Sequence, residues 1–192
     1  MTAAADLKQS LRTEAIRHRA RMSAEDPEHA VPVFFNAVKP DKNVIVAGYW
    51  PMHGEFDVRP IIDECFKRGH VCALPVMQKD SRVLKFARWK LEQKLIKGPF
   101  GVFEPSVNEH TEWLEPDIVI TPLLAFDRRG YRLGHGYGYY DATIADLRAK
   151  KAIIAVGAGY AQQAVLFNLP VDTHDEKMDW IITPNGAQDF RS

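Results

Sequence analysis

The chain has 192 residues, 46% of them hydrophobic and 26% charged, which supports one α/β domain with a sizeable core and excludes a disordered chain. Lysine plus arginine and aspartate plus glutamate stand at 25 each, so no bulk field draws the protein to nucleic acid or a membrane, and any anion must be held by a local cluster. No run approaches a membrane span, the opening stretch lacks the apolar core of a signal peptide, and Cys65 and Cys72 fit neither a disulfide framework nor a zinc pattern. Asp6 and Glu14 count against a transit peptide. The expectation is a single domain over residues 1–192, monomeric, in a reducing cytoplasmic setting.

In chain order, Leu7, Leu11, Ala15, His18 and Met22 recur at spacings of three and four, which predicts an amphipathic helix over residues 4–22. Ser23 is placed to cap a second helix reaching about Val38, with Pro32 as a candidate break. KPDKN is a turn and VIVAGYW a buried strand. FDVRPIIDECFKRG follows as a helix ended by Gly69, and HVCALPVM as a strand. Strand, helix and strand over about thirty residues make a βαβ unit, hence a parallel sheet with a right-handed crossover.

RVLKFARW alternates and reads as an exposed or edge strand, and PFGVFEPS as a loop with two prolines. DIVITPLLAF is a buried strand, YYDATIADLRAKKA a helix, IIAVGAGY a strand and DWIITP a final short strand. The pattern predicts a three-layer, Rossmann-like α/β sandwich: a mostly parallel sheet with the N-terminal helices packed on it. Ligands of such sheets sit beyond the carboxyl ends of the strands. The loops beginning YWPMHGE, DRRGYRLGHGYGYYD and GYAQQ follow strands there.

The richest of these is GYRLGHGYGYYD, residues 130–141. Gly134, Gly136 and Gly138 alternate, so backbone at positive φ can turn successive amides inward as an anion nest, and the helix from Tyr139 adds its N-terminal dipole. Arg132 can grip phosphate, and Asp141 in the first helical turn can hold Mg²⁺ beside bound phosphates. The spacing matches neither a Walker loop nor G-x-G-x-x-G. The alternative is a mobile surface loop with Asp141 as a helix cap.

Lys8, Arg12 and Arg19 share one face of the first helix, a pattern that by itself describes a solvated face. In YWPMHGEFD, Trp50 offers a flat platform and Glu55 an acceptor for a planar heterocycle; equally, Trp50 is core and Glu55 a helix cap. Asp172, Asp175, Glu176 and Asp179 are too loosely spaced for a calcium loop and suit either a metal or a solvated turn. His53, His135 and His174 have no metal-ligand spacing. Without G-x-S-x-G, a serine hydrolase has no support.

Taken together, these segments resemble the 5-formyltetrahydrofolate cyclo-ligase family. PLLAFDRRGYRLGHGYGYYD is similar to that family's most specific signature, and LKQSLRTEAIRHRARMS, GYWPMHGEFDVRPII, LPVMQ, GVFEP and LPVDTHDEKMDWIIT follow in the family's order. The resemblance implies an enzyme turning 5-formyltetrahydrofolate and ATP, with Mg²⁺, into 5,10-methenyltetrahydrofolate, ADP and phosphate through a phosphorylated formyl group. It implies that Lys8, Arg12, Arg132, Leu133, Gly134, His135, Gly136, Tyr137, Gly138, Tyr139 and Tyr140 meet ATP. Trp50, Glu55 and the stretch His135 to Tyr139 then face the folate, Asp141 and Asp179 the metal, and Arg132, Tyr139 and Asp141 are the expected catalytic residues. Many bacterial members carry glycine at Tyr137 and arginine at Ala142. The competing readings are a paralogue using ATP on another heterocycle and a non-catalytic folate or nucleotide binder.

Overall fold

A computed structural model describes residues 3–22, 25–52, 54–91 and 93–191. Ser23, the expected cap, and His53 lie outside them. The chain begins with α1 (Ala3–Arg19), a 3₁₀ turn at Pro27–His29, and α2 (Ala30–Ala37). The next elements are β1 (Ile45–Ala47), α3 (Arg59–Lys67), β2 (Val71–Gln78) and β3 (Ser81–Trp89). Four short strands and β7 come next: β4 (Leu95–Lys97), β5 (Phe103–Pro105), β6 (Trp113–Leu114), β7 (Ile118–Pro122) and β8 (Ala125–Phe126). The chain closes with β9 (Arg132–Leu133), α4 (Tyr139–Lys150), β10 (Ile154–Ala158), β11 (Trp180–Thr183) and β12 (Gly186–Asp189). Among the described residues, no helix is long and apolar enough to cross a membrane.

Eight strands form one sheet in the order β12-β11-β10-β7-β1-β2-β3-β6. β11, β10, β7, β1 and β2 run parallel, and β12, β3 and β6 join antiparallel at the flanks. The central β7 carries the run IVIT, buried at every position, as a strand covered on both faces requires. One cover is made by α2 and α3, whose Phe34, Phe35, Ile61 and Ile62 pack on Val46, Leu74 and Ile182. The other is α4: Leu147 packs with Ala47, Ala73 and Val119, and Ile144 with Ala155 and Ile181. The expected mostly parallel, three-layer sheet is therefore present.

Several elements differ from expectation. α1 seats Leu11 and Ala15 on Ala125, Leu133 and Leu169, which belong to the β8–β9 ribbon and a later loop. Pro32 does not break the second helix, because it falls in the first turn of α2, where the missing amide hydrogen has no intrahelical acceptor. β3 is not an edge strand, since Phe86 and Ala87 pair with Leu114 and Trp113 of β6. PFGVFEPS is not all loop: it holds the turn Pro99–Gly101 and β5, which pairs with the preceding β4 as a hairpin. DIVITPLLAF is divided after Pro122 into β7 and β8. DWIITP is followed by a further strand: Thr183 Oγ1 donates to the Gly186 carbonyl at 3.1 Å, closing the turn into β12.

Candidate active site

At the carboxyl ends of β1, β2 and β7 the chain encloses a cavity of about 890 Å³. The loop after β1 contributes Tyr49, Trp50, Met52 and Glu55, and the end of β2 contributes Pro75 and Met77. The β9 strand and the glycine loop line it without a gap from Arg132 to Asp141, and α1 lends Lys8, Arg12 and Arg19. Two of the three loops that follow strands therefore meet there. The third does not, because Gln163 is buried within it: its Oε1 accepts from the Tyr160 amide, and its Nε2 donates to the Leu123 and Leu124 carbonyls. Its place in the wall is taken by residues Leu169 to Glu176.

One end of the cavity is charged. Arg132, 4% exposed, donates from Nη1 to Asp141 Oδ1 at 2.9 Å and to the Glu176 carbonyl at 3.4 Å. The same Asp141 oxygen accepts from the Glu176 amide at 3.1 Å. Asp141 is thus an ion-pair partner in the first turn of α4 and not its cap, a place held by Gly138. Lys8 donates to Asp172 at 2.8 Å and to Asp175. Burial alone lowers the Lys8 pKa, but hydrogen bonds and charge from these carboxylates outweigh it and hold the ammonium above its ordinary value.

Arg12 donates from Nε to the Gly134 carbonyl at 3.1 Å. Gly136 and Gly138 take φ of +96° and +73°, the left-handed backbone that glycine alone adopts at little cost. A Cβ on Gly136 would also stand 2.9 Å from the Arg12 guanidinium carbon, so the guanidinium of Arg12 lies where a larger residue would displace it. Gly134 departs from the expected pattern: its φ is not positive, and an added Cβ would meet nothing within 4 Å.

The other end is aromatic. Tyr137 and Phe100 stack with centroids 4.6 Å apart, and Tyr139 lies 6.5 Å from Phe100. Phe100 and Tyr137 are 56% and 54% exposed, facing the cavity and solvent. Phe100 also has φ of +57°, an uncommon conformation for a bulky residue. Trp50 lines the cavity and lies 6.3 Å from Trp89, with the Arg59 guanidinium 5.2 Å above its ring.

Glu55 accepts from the Met52 amide at 2.8 Å, while its other oxygen lies 3.3 Å from His135 Nε2. It is not the cap of α3, which begins at Arg59 with Val58 in the capping position. Burial, followed by the Glu55 charge, pushes the Tyr49 and Tyr140 phenols well above their ordinary pKa.

Such a wall, cationic at one end and stacked rings at the other, carries the segments whose resemblance was noted in the sequence, and the family model for 5-formyltetrahydrofolate cyclo-ligase matches residues 4–184. The chain belongs to the 5-formyltetrahydrofolate cyclo-ligase family. The 5-formyltetrahydrofolate cyclo-ligase of Haemophilus influenzae is 31% identical over 175 residues, covering 88% of this chain and 92% of the relative. That of Escherichia coli K12 is 32% identical over 144 residues, 73% of this chain and 78% of its own. The solved 5,10-methenyltetrahydrofolate synthetase of Aquifex aeolicus superposes with a TM-score of 0.77 at 29% identity, covering 97% of this chain and 94% of that one.

Against this cyclo-ligase framework, the cavity gathers all of the expected site residues except Asp179. The Asp179 carboxylate accepts from Arg148 at 2.9 Å and the Ala155 amide at 2.7 Å, joining α4 to β10 away from the wall. Among the described residues no three acidic, histidine or cysteine side chains are grouped to hold a metal. The donor set still suits Mg²⁺, which takes one or two carboxylates together with substrate phosphates. Asp141 offers one such carboxylate, and its Oδ2 makes no hydrogen bond among the described residues.

Sequence reasoning missed Arg82, Phe100 and Glu104 in the wall, and left Asp172 and Asp175 undecided. Glu104 accepts from the Met77 amide at 3.1 Å. An aromatic side chain set between Pro99 and Gly101 in a turn was the one available signal for Phe100.

Proposed function

We propose that this cyclo-ligase family member converts 5-formyltetrahydrofolate to 5,10-methenyltetrahydrofolate at the expense of ATP, with the nucleotide phosphates at the charged end of the cavity and the folate at the aromatic end. The observation that carries this reading is the continuity of one cavity from Lys8, Arg12 and Arg132 to Glu55, Trp50 and the Phe100–Tyr137 stack. The formyl group of the substrate is amide-like and resists attack. Transfer of the γ-phosphoryl group to the formyl oxygen, with ADP leaving, turns that oxygen into part of a leaving group. N10 then bonds to the formyl carbon, the C–O bond breaks, phosphate departs and N10 loses its proton. Such a sequence asks the protein for positioning and for compensation of charge more than for covalent work.

The residues divide these tasks. The amides at Gly136 to Tyr139 and the start of α4 receive phosphate oxygens, while Arg132 and Lys8 offset the charge that collects at the transferring group. Asp141 would hold Mg²⁺, which when bound would supply neutralisation of phosphate charge. Glu55 accepts from the ring nitrogens of the pterin, and Trp50, His135, Tyr137 and Tyr139 bound the folate. Tyr139 stands where the glycine loop becomes α4 and lines the cavity, which suits the catalytic part assigned to it. The monomer and the cytoplasmic setting remain part of the same reading.

The test is direct. The protein is incubated with 5-formyltetrahydrofolate, ATP and Mg²⁺, and the absorbance of methenyltetrahydrofolate is followed. A signal that requires both ATP and Mg²⁺ is expected. Folded protein that gives no ATP-dependent signal contradicts the proposal and favours a paralogue acting on another heterocycle.

A further inference from the structure

β3 lies along α4. Side chains of a strand alternate between its faces, and on the face toward α4 Leu84 and Phe86 pack with Leu147 and Tyr139. The Leu84 amide donates to Thr143 Oγ1 at 2.9 Å, and that hydroxyl donates to the Tyr139 carbonyl at 2.6 Å. The start of β3 is thereby fixed to the first turn of the helix. Two residues before Leu84, on the same face, stands Arg82, exposed and lining the cavity. A Cβ built on Gly138 would lie 3.9 Å from Arg82 Nη1, so the guanidinium is at the point where the glycine loop becomes α4.

This cation differs from three others of the wall. Lys8, Arg12 and Arg132 are each held by acceptors of the protein, whereas Arg82 has no hydrogen bond or ion pair among the described residues. The first turn of α4 offers amides but no cation, since its one charged side chain is Asp141, already paired with Arg132. Phosphate received by those amides therefore finds no counter-charge on the helix itself. A guanidinium beside Gly138 supplies one, and its planar fork matches two phosphate oxygens. With no internal salt bridge to break, Arg82 loses only side-chain freedom when it engages. The carboxylates of the folate are the other anions such a group takes, but its place beside Gly138 favours the phosphate.

We propose that Arg82 is a further phosphate ligand of the nucleotide site, a cation that β3 brings to the start of α4 and that stays unpaired until the polyanion arrives. This rests on the nucleotide reading of the glycine loop given above.

Calorimetric titration of the full chain tests it, with ATP and Mg²⁺ in one arm and 5-formyltetrahydrofolate alone in the other. Each variant is first checked for folding by thermal melting. Arg82→Ala is expected to weaken ATP by about fivefold, the upper scale of an exposed ion pair, and to leave the folate unmoved. Arg82→Lys recovers part of that loss, because it keeps the charge without the fork. Lys85→Ala removes an exposed cation of the same strand that lies over the Trp113 ring and outside the cavity wall, and is expected to change neither affinity.

If Arg82→Ala weakens the folate alone, the arginine serves a carboxylate and the inference is overturned. It is overturned equally if both ligands weaken alike, if neither moves, or if Lys85→Ala weakens ATP as much. Should Arg82→Ala fail to fold, Arg82→Gln, which keeps the stem and loses the charge, carries the same expectation. Arg132→Ala separates the two levels. ATP affinity unchanged in both alanine variants removes the nucleotide reading of this end, whereas a loss in Arg132→Ala beside an unchanged Arg82→Ala removes only this inference.

Discussion

The charged and aromatic ends of the cavity are built in different ways. At the charged end, cations already have internal partners: Lys8 has Asp172 and Asp175, Arg132 has Asp141, and Arg12 has the Gly134 carbonyl. At the aromatic end Phe100 and Tyr137 stand more than half exposed and touch mainly each other. Cations held by local counter-charges keep their geometry without ligand, and a polyanion then exchanges one set of partners for another. Exposed rings gain little until a planar ligand covers them. The first end is therefore preorganised, and the second is completed by its substrate.

Substitutions break this contrast most sharply at Arg132. Arg132→Ala is expected to lower kcat by on the order of 10³, the scale of an arginine that compensates charge in phosphoryl transfer, while stability falls only by the loss of its bonds to Asp141 and the Glu176 carbonyl, about 1–3 kcal/mol. Turnover within a few fold of the parent contradicts its assignment. Next in size is Glu55→Gln, which keeps the volume and an acceptor for the Met52 amide but removes the charge. The KM for the folate should rise about tenfold, with the KM for ATP nearly unmoved. A parallel change in both would mean that the ends are not separate.

Phe100→Ala probes the aromatic end alone. Loss of one stacked ring, worth about 0.5–1.5 kcal/mol, should weaken the folate by a few fold in a competition assay and leave the nucleotide untouched. Smallest in its effect on either ligand is Asp117→Asn, far from the cavity wall. Asp117 accepts from the Ile45 amide and from Lys151, each at 2.7 Å. Burial raises its pKa, but these bonds outweigh it and hold the carboxyl below its ordinary value. Its stabilising contribution is therefore complete above the unfolded pKa and is lost as pH falls through the folded one. Melting followed from neutral pH to below 3.8 should fall less steeply for Asp117→Asn than for the parent, with both KM values unchanged; equal slopes would contradict the assigned cause.

The sheet was legible in the sequence where burial is two-sided. IVIT in β7 and IAVGA in β10 read as strands because they are short runs of almost wholly apolar residues. Short elements were not legible. β4 and β5, three residues each around a Pro–Gly turn, carry no alternation long enough to see. The glycine loop was visible from composition, since Gly136 and Gly138 do need positive φ. The pairing of Lys8 with Asp172 and Asp175 was not, because Lys8 is 164 residues from Asp172 and no local spacing encodes it. Asp179 shows the opposite failure. Its place in a motif suggested a metal ligand, while in the fold its carboxylate is committed to Arg148 and a backbone amide.

The division of the cavity is tested most directly by a crystal structure of the protein with ADP and 5-formyltetrahydrofolate bound together. The account predicts the diphosphate within hydrogen-bond reach of Arg132 and the amides of Gly136 to Tyr139, and the pterin ring against Glu55. A nucleotide lying on the Phe100–Tyr137 side, or outside the cavity that Arg132 and Glu55 share, would contradict it.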